Sequence, residues 1–184
     1  RYVLVYNGEI YNFLDIKNEL EKLIDFKTSS DTEVVLEAIK AWGIRLAIQK
    51  FNGMFAFALW DNKTKKLSIA RDRVGIKPIF WYYDDNTFAF CSELKGFKSL
   101  PWINFKIDDE AVASYVRLNF VPAPSSIFKN IHKLSPGSFI EINRKKIYEQ
   151  NFWSLKNFIL KTKRNISYNY EKDVEEAIKN SVKN

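Results

Sequence analysis

The run Met54-Phe55-Ala56-Phe57-Ala58-Leu59-Trp60 limits the fold more than any other part of this chain. It is nearly continuous apolar sequence, the pattern of a strand covered on both faces. Asp61-Asn62-Lys63-Thr64-Lys65 is a turn, and Leu67 to Arg73 returns as the hairpin partner. Two more hairpins are predicted, Ile79–Tyr83 with Thr87–Cys91 and Gly137–Ile142 with Lys146–Phe152. An antiparallel sheet with two apolar faces needs a layer on each side. Helices can cover one face and a second sheet the other, which gives an α+β chain stacked as four layers, α/β/β/α.

The helical layer is visible as a change of period. Ile16, Leu20, Leu23 and Ile24 recur at helical spacing between about Asn12 and Asp25. A second helix is predicted from Ser30, with Glu33 as its capping-box partner, a stripe of Val35, Ala38, Ile39 and Trp42, and a stop at Gly43. Ile44 to Lys50 follows as a third, short helix, and Asp108 to Leu118 as another. Residues 154–169 lack a clear period and read as a linker. Glu171 to Val182 is amphipathic, with Val174, Ala177, Ile178 and Val182 on one side.

Several function classes are excluded or demoted by composition. No apolar run reaches membrane-spanning length, and no signal segment is visible. The single Cys91 rules out an intrachain disulfide and fits a reducing, cytoplasmic compartment. One Cys and one His132 do not make a protein-only zinc site. The net charge of +7 is concentrated in the C-terminal half, but the basic residues are scattered there, as on a solvated surface. No nucleic-acid partner is expected.

Two short segments carry chemistry. Val3-Leu4-Val5 is a strand running into Asn7-Gly8, a strong turn pair, followed by Glu9. Ser30-Asp31-Thr32-Glu33 opens the second helix. An Asn side-chain amide and a Gly backbone N–H can supply two donors to an oxyanion, and Gly lets the backbone approach a ligand closely. Carboxylates such as Glu9 and Asp31 can fix an ammonium group by charge-assisted hydrogen bonds. The bland alternative is a plain turn at Asn7-Gly8 and an Asp31 that only decorates a helix N-terminus.

The larger pattern favours the first reading. Asn7-Gly8-Glu9-Ile10-Tyr11-Asn12, Ser30-Asp31-Thr32-Glu33, Phe51-Asn52-Gly53-Met54-Phe55-Ala56-Phe57-Ala58, Arg71-Asp72-Arg73-Val74-Gly75-Ile76-Lys77-Pro78 and Ser92-Glu93-Leu94-Lys95 occur in one order. Together they resemble the class II glutamine amidotransferase domain of glutamine-hydrolysing asparagine synthetases, and Leu134-Ser135-Pro136-Gly137 extends the likeness. The resemblance implies the N-terminal-nucleophile form of the four-layer fold. It implies an oxyanion hole from the Asn7 side chain and Gly8 backbone, and binding of the glutamine α-amino group by Glu9 and Asp31. Arg71, Asp72, Gly75 and Pro78 match a family signature that reads as a scaffold.

The departures matter as much. The family nucleophile is an N-terminal Cys whose free amine serves as base, whereas position 1 here is Arg. Cys91 is internal and reads as a buried small hydrophobe, and His132 as structural or surface-exposed. The expected organisation is an amidotransferase domain over 1–153 lacking its N-terminal segment, a linker over 154–169, and the start of a synthetase domain over 170–184. ATP and Mg²⁺ are expected in that second domain and not in this chain. L-glutamine is the expected partner here, L-aspartate and ATP are those of a full-length parent, and a homodimer is possible. The fragment by itself is expected to be inactive. Two other readings stay open: a relative that amidates another carboxylate, and one that has lost glutaminase activity.

Overall fold

The structure is a computed structural model and describes residues 1–84, 86–143, 146–161 and 169–183. The apolar run forms strand β2 (Gly53–Asp61), flanked on one side by β1 (Tyr2–Ile10) and on the other by β3 (Lys66–Arg71). Strands β4 (Phe80–Tyr83), β5 (Phe88–Cys91), β6 (Ile131–Lys133), β7 (Ser138–Asn143) and β8 (Lys146–Asn151) complete two antiparallel sheets. The larger has the order β1-β2-β3-β7-β8, and the smaller β5-β4-β6.

Alternation along β2 explains the stacking. Phe55, Phe57 and Leu59 point to one face, where they pack on α1 (Phe13–Leu20) and α2 (Asp31–Lys50) through Ile16, Leu20, Val34, Val35, Ala38 and Ile39. Burying each large side chain contributes roughly 1.5–3 kcal/mol. Phe55 meets Phe51 edge-on and stacks on Phe57, both at 5.8 Å between ring centroids. On the opposite face the small Ala56 and Ala58 leave room for the second sheet, which fills the gap with Ile79, Trp81, Phe88 and Phe90. The outer face of that sheet is covered by a 3₁₀ helix (Leu94–Ser99) and by Ile103, Phe105 and Phe128. Helix α3 (Asp109–Leu118), capped by Asp108, contributes only Ala111 as a buried residue. The fourth layer is thus largely 3₁₀ helix and loop.

Several local expectations need correction. Asn7-Gly8 is not a turn. Strand β1 continues through it in register, Asn7 opposite Ala56 and Gly8 opposite Phe55, because β2 offers a partner along its whole length. Helix α1 ends at Leu20, which leaves Leu23 exposed. Glu33 does not return to Ser30. Its carboxylate accepts from the backbone N–H groups of Lys27 and Thr28 and the Thr28 hydroxyl, at 3.0, 2.7 and 2.6 Å, while Ser30 caps Thr32. These bonds, the Thr28 hydroxyl first, hold the Glu33 carboxyl below its usual range. Gly43 does break the helical run: its φ of 76° kinks α2 into two helices meeting there.

Within the aperiodic stretch, α4 (Leu155–Lys161) is helical. Helix α5 (Tyr170–Lys183) forms as the periodicity predicts, with Val174, Ile178 and Val182 exposed. Arg144 and Lys145 in the last hairpin, and Asp85 in the middle one, lie outside the described residues.

Candidate functional site

Strand β1 is an edge strand of the larger sheet, and its backbone donors alternate between β2 and the open edge. Tyr11 N–H donates to Asn52 O across the β2 side, at 2.8 Å. Ile10 N–H points the other way and donates to Asp31 Oδ2 at 3.1 Å. Gly8 shares the phase of Ile10. Its cross-strand neighbour Phe55 has both backbone groups engaged by Asp72, N–H to Oδ2 at 3.3 Å and carbonyl from Asp72 N–H at 2.8 Å. The Gly8 N–H therefore faces the open edge. A side chain at Gly8 does not fit, since a Cβ would lie 2.3 Å from Met54 O and 2.7 Å from Phe55 Cα.

Asp31, the first residue of α2, is brought to this edge by the packing of α2 on the sheet. Its Oδ2 also accepts from the Tyr6 hydroxyl at 2.7 Å, and its Oδ1 has only a long contact of 3.5 Å from the Thr32 hydroxyl. Burial pushes the Tyr6 phenol pKa well above its ordinary value, and the hydrogen bond to Asp31 and the charges of Asp31 and Glu9 push it further. The Asp31 carboxylate bonds to this phenol directly, and the Glu9 charge acts on it from a distance.

Asn7 and Glu9 lie on the other face of β1, exposed, and among the described residues neither side chain makes a hydrogen bond or ion pair. Asn7 lines a cavity of about 150 Å³ between the sheets, with Val5, Ala56, Phe90, Cys91 and Ser92 among its walls. Cys91 is half-buried rather than buried as expected, and that burial pushes its thiol pKa up. His132 packs on Trp81 at 4.7 Å between rings, and burial lowers its pKa, so it stays neutral in a structural setting.

The Arg71–Pro78 segment carries the chain from the larger sheet to the smaller. The fully buried Asp72 carboxylate accepts from the N–H groups of Val74, Gly75, Ile76 and Lys77 at 3.2, 2.6, 2.9 and 2.9 Å, besides Phe55. Arg71 donates to the carbonyls of Lys77, Leu134 and Gly75 at 2.9, 2.7 and 2.7 Å. The side chains of these two residues pin the loop and the backbone of β2 beneath the β1 edge. Sequence reasoning marked them as scaffold without seeing how, and gave Tyr6, at the head of the Asn7–Asn12 segment, no role, since nothing at its position signals a partner as distant as Asp31. A larger apolar groove of about 520 Å³, lined by Phe80, Tyr115, Phe120 and Lys133 among others, contains none of the expected site residues. Among the described residues no group of three or more His, Cys, Asp or Glu side chains is placed to hold a metal ion, and no helix is long and apolar enough to cross a membrane.

The family model described as a glutamine amidotransferase domain matches residues 1–153, and the chain belongs to this family. It is similar to a putative glutamine-hydrolysing asparagine synthetase 2 from Methanocaldococcus jannaschii, 38% identical over 160 residues, covering 85% of this chain and 30% of the relative. A putative glutamine-hydrolysing asparagine synthetase from Mycobacterium bovis is 40% identical over 147 residues, covering 77% of this chain and 22% of that protein. The chain thus spans under a third of the length of these relatives. Among solved structures, the glutamine phosphoribosylpyrophosphate amidotransferase from B. subtilis superposes with a TM-score of 0.59 at 21% identity, over 83% of this chain and 29% of that one. The fold is the N-terminal-nucleophile fold of class II glutamine amidotransferases.

Proposed function

We propose that this chain is the glutamine-binding domain of a glutamine-hydrolysing asparagine synthetase. The substrate amide lies along the open edge of β1. Its carbonyl oxygen, as it gains charge, meets the Gly8 N–H and the Asn7 side-chain amide, fixed donors that need no reorganisation at the moment of reaction. The α-ammonium is held by Asp31 and Glu9. The observation that carries this reading is the Asp31–Ile10 hydrogen bond, which fixes a carboxylate two residues along the same open edge from the Gly8 donor.

The complete reaction needs groups these residues do not supply. A nucleophile must attack the amide, and neither Arg1 nor Cys91, which is internal and has no free amine beside it, fills that role. By the resemblance, ATP and Mg²⁺ serve a separate synthetase unit in which aspartate is activated and amidated, yielding asparagine, glutamate, AMP and pyrophosphate. Residues 154–169 would connect the two units, and 170–184 would begin the second. Residues 1–184 alone should not hydrolyse glutamine.

The test is Asp31→Ala in the polypeptide as its gene encodes it. Glutamine-dependent asparagine synthesis should be lost while ammonia-dependent synthesis persists. Equal loss of both would show that Asp31 acts elsewhere or is needed for folding.

A further inference from the structure

Asp31 Oδ2 is already occupied twice, by the Tyr6 hydroxyl at 2.7 Å and the Ile10 N–H at 3.1 Å, whereas Oδ1 has only the 3.5 Å contact from Thr32. Two good donors on one oxygen fix the carboxylate rotamer and leave Oδ1 with lone pairs to spare. We propose that Tyr6 is a positioning residue for glutamine recognition: it holds Asp31 so that Oδ1 is the atom that receives the substrate α-ammonium. This rests on the glutamine-binding reading above and adds to it the orientation of the carboxylate.

The geometry gives Tyr6 a role distinct from packing. Its ring joins the core shared by α1, α2 and the larger sheet, so only the hydroxyl reaches Asp31. Burial and the neighbouring carboxylates keep that hydroxyl protonated, so it remains a donor wherever Asp31 is ionised. Removing it frees the carboxylate to rotate and leaves the core filled.

Tyr6→Phe in the gene-encoded polypeptide separates these roles. KM for L-glutamine in an ammonia-release assay should rise roughly tenfold, the scale of one hydrogen bond to a charged group. The inhibition constant of glutaramate, the analogue lacking the α-ammonium, should stay unchanged, as should ammonia-dependent synthesis. An unchanged KM for glutamine overturns the proposal. So does equal weakening of glutamine and glutaramate, which would mark Tyr6 as merely structural. Wild-type protein that releases no ammonia from glutamine would instead refute the underlying reading, and the positioning role with it.

Discussion

Asp72 holds Phe55 by both backbone groups, its N–H donating to the Phe55 carbonyl and its carboxylate accepting the Phe55 N–H. Phe55 and Gly8 face each other as a non-hydrogen-bonded pair of the antiparallel ladder, so the Phe55 backbone groups turn toward Asp72 and the Gly8 N–H turns toward the outer edge of β1.

Asp72→Ala should be severe. Five backbone donors lose the buried carboxylate, and only Gly75 N–H keeps a second acceptor, the backbone carbonyl of residue 72, at a cost of about 3 kcal/mol or more. Urea unfolding reads this as a shift of the midpoint. A change within about 0.5 kcal/mol, the range of an ordinary surface substitution, would show that the loop does not depend on the carboxylate.

Gly8→Ala should separate β1 from β2 locally, since the added methyl collides with Met54 O and Phe55 Cα. A destabilisation of about 1–3 kcal/mol is expected, with a larger loss of glutamine-dependent than of ammonia-dependent activity. Wild-type glutamine kinetics in this variant would remove Gly8 from the site.

Asp61 closes the β2–β3 turn, accepting from Lys63 N–H and the Thr64 hydroxyl at 2.9 and 3.0 Å and from both ends of the Arg1 fork at 3.1 and 3.0 Å. The Arg1 hydrogen bond, assisted by those from the turn, holds its carboxyl well below the usual range. A depressed carboxyl adds stability that is fully present above its unfolded pKa of about 3.9 and is lost as pH falls from there through the folded value. Asp61→Asn should therefore flatten the acid limb of the stability curve below about pH 4. Thermal unfolding across that range gives the answer, and an unchanged acid limb would contradict it.

Much of this architecture is legible in the primary structure. The run from Met54 to Trp60 demands a strand covered twice, and its Phe/Ala alternation explains which face receives helices and which a second sheet. Gly43 marks its helix break for a local reason, a φ that side chains resist. What stayed hidden depends on partners distant in sequence. Asn7-Gly8 has turn propensity, yet pairing with β2 overrides it. Glu33 has capping-box spacing, yet the loop before the helix offers it better donors. Asp31 was legible through its motif, while its tether to Tyr6 exists only once α2 lies across β1.

The exposed Val3 and Val5, 54% and 58% accessible on an open edge strand, should make residues 1–184 prone to self-association. Val5→Lys should raise the concentration at which light scattering appears. No difference from the parent chain would locate any association elsewhere.

The most direct test of the central claim is to map L-glutamate, the product of glutamine hydrolysis and itself not consumed, onto the gene-encoded polypeptide by amide NMR. The account predicts saturable shifts at the Gly8 and Ile10 N–H groups and the Asn7 side-chain amide, all lost in Asp31→Ala. Saturable shifts confined to the groove around Phe80 and Tyr115, with Gly8 and Ile10 unmoved, would contradict it.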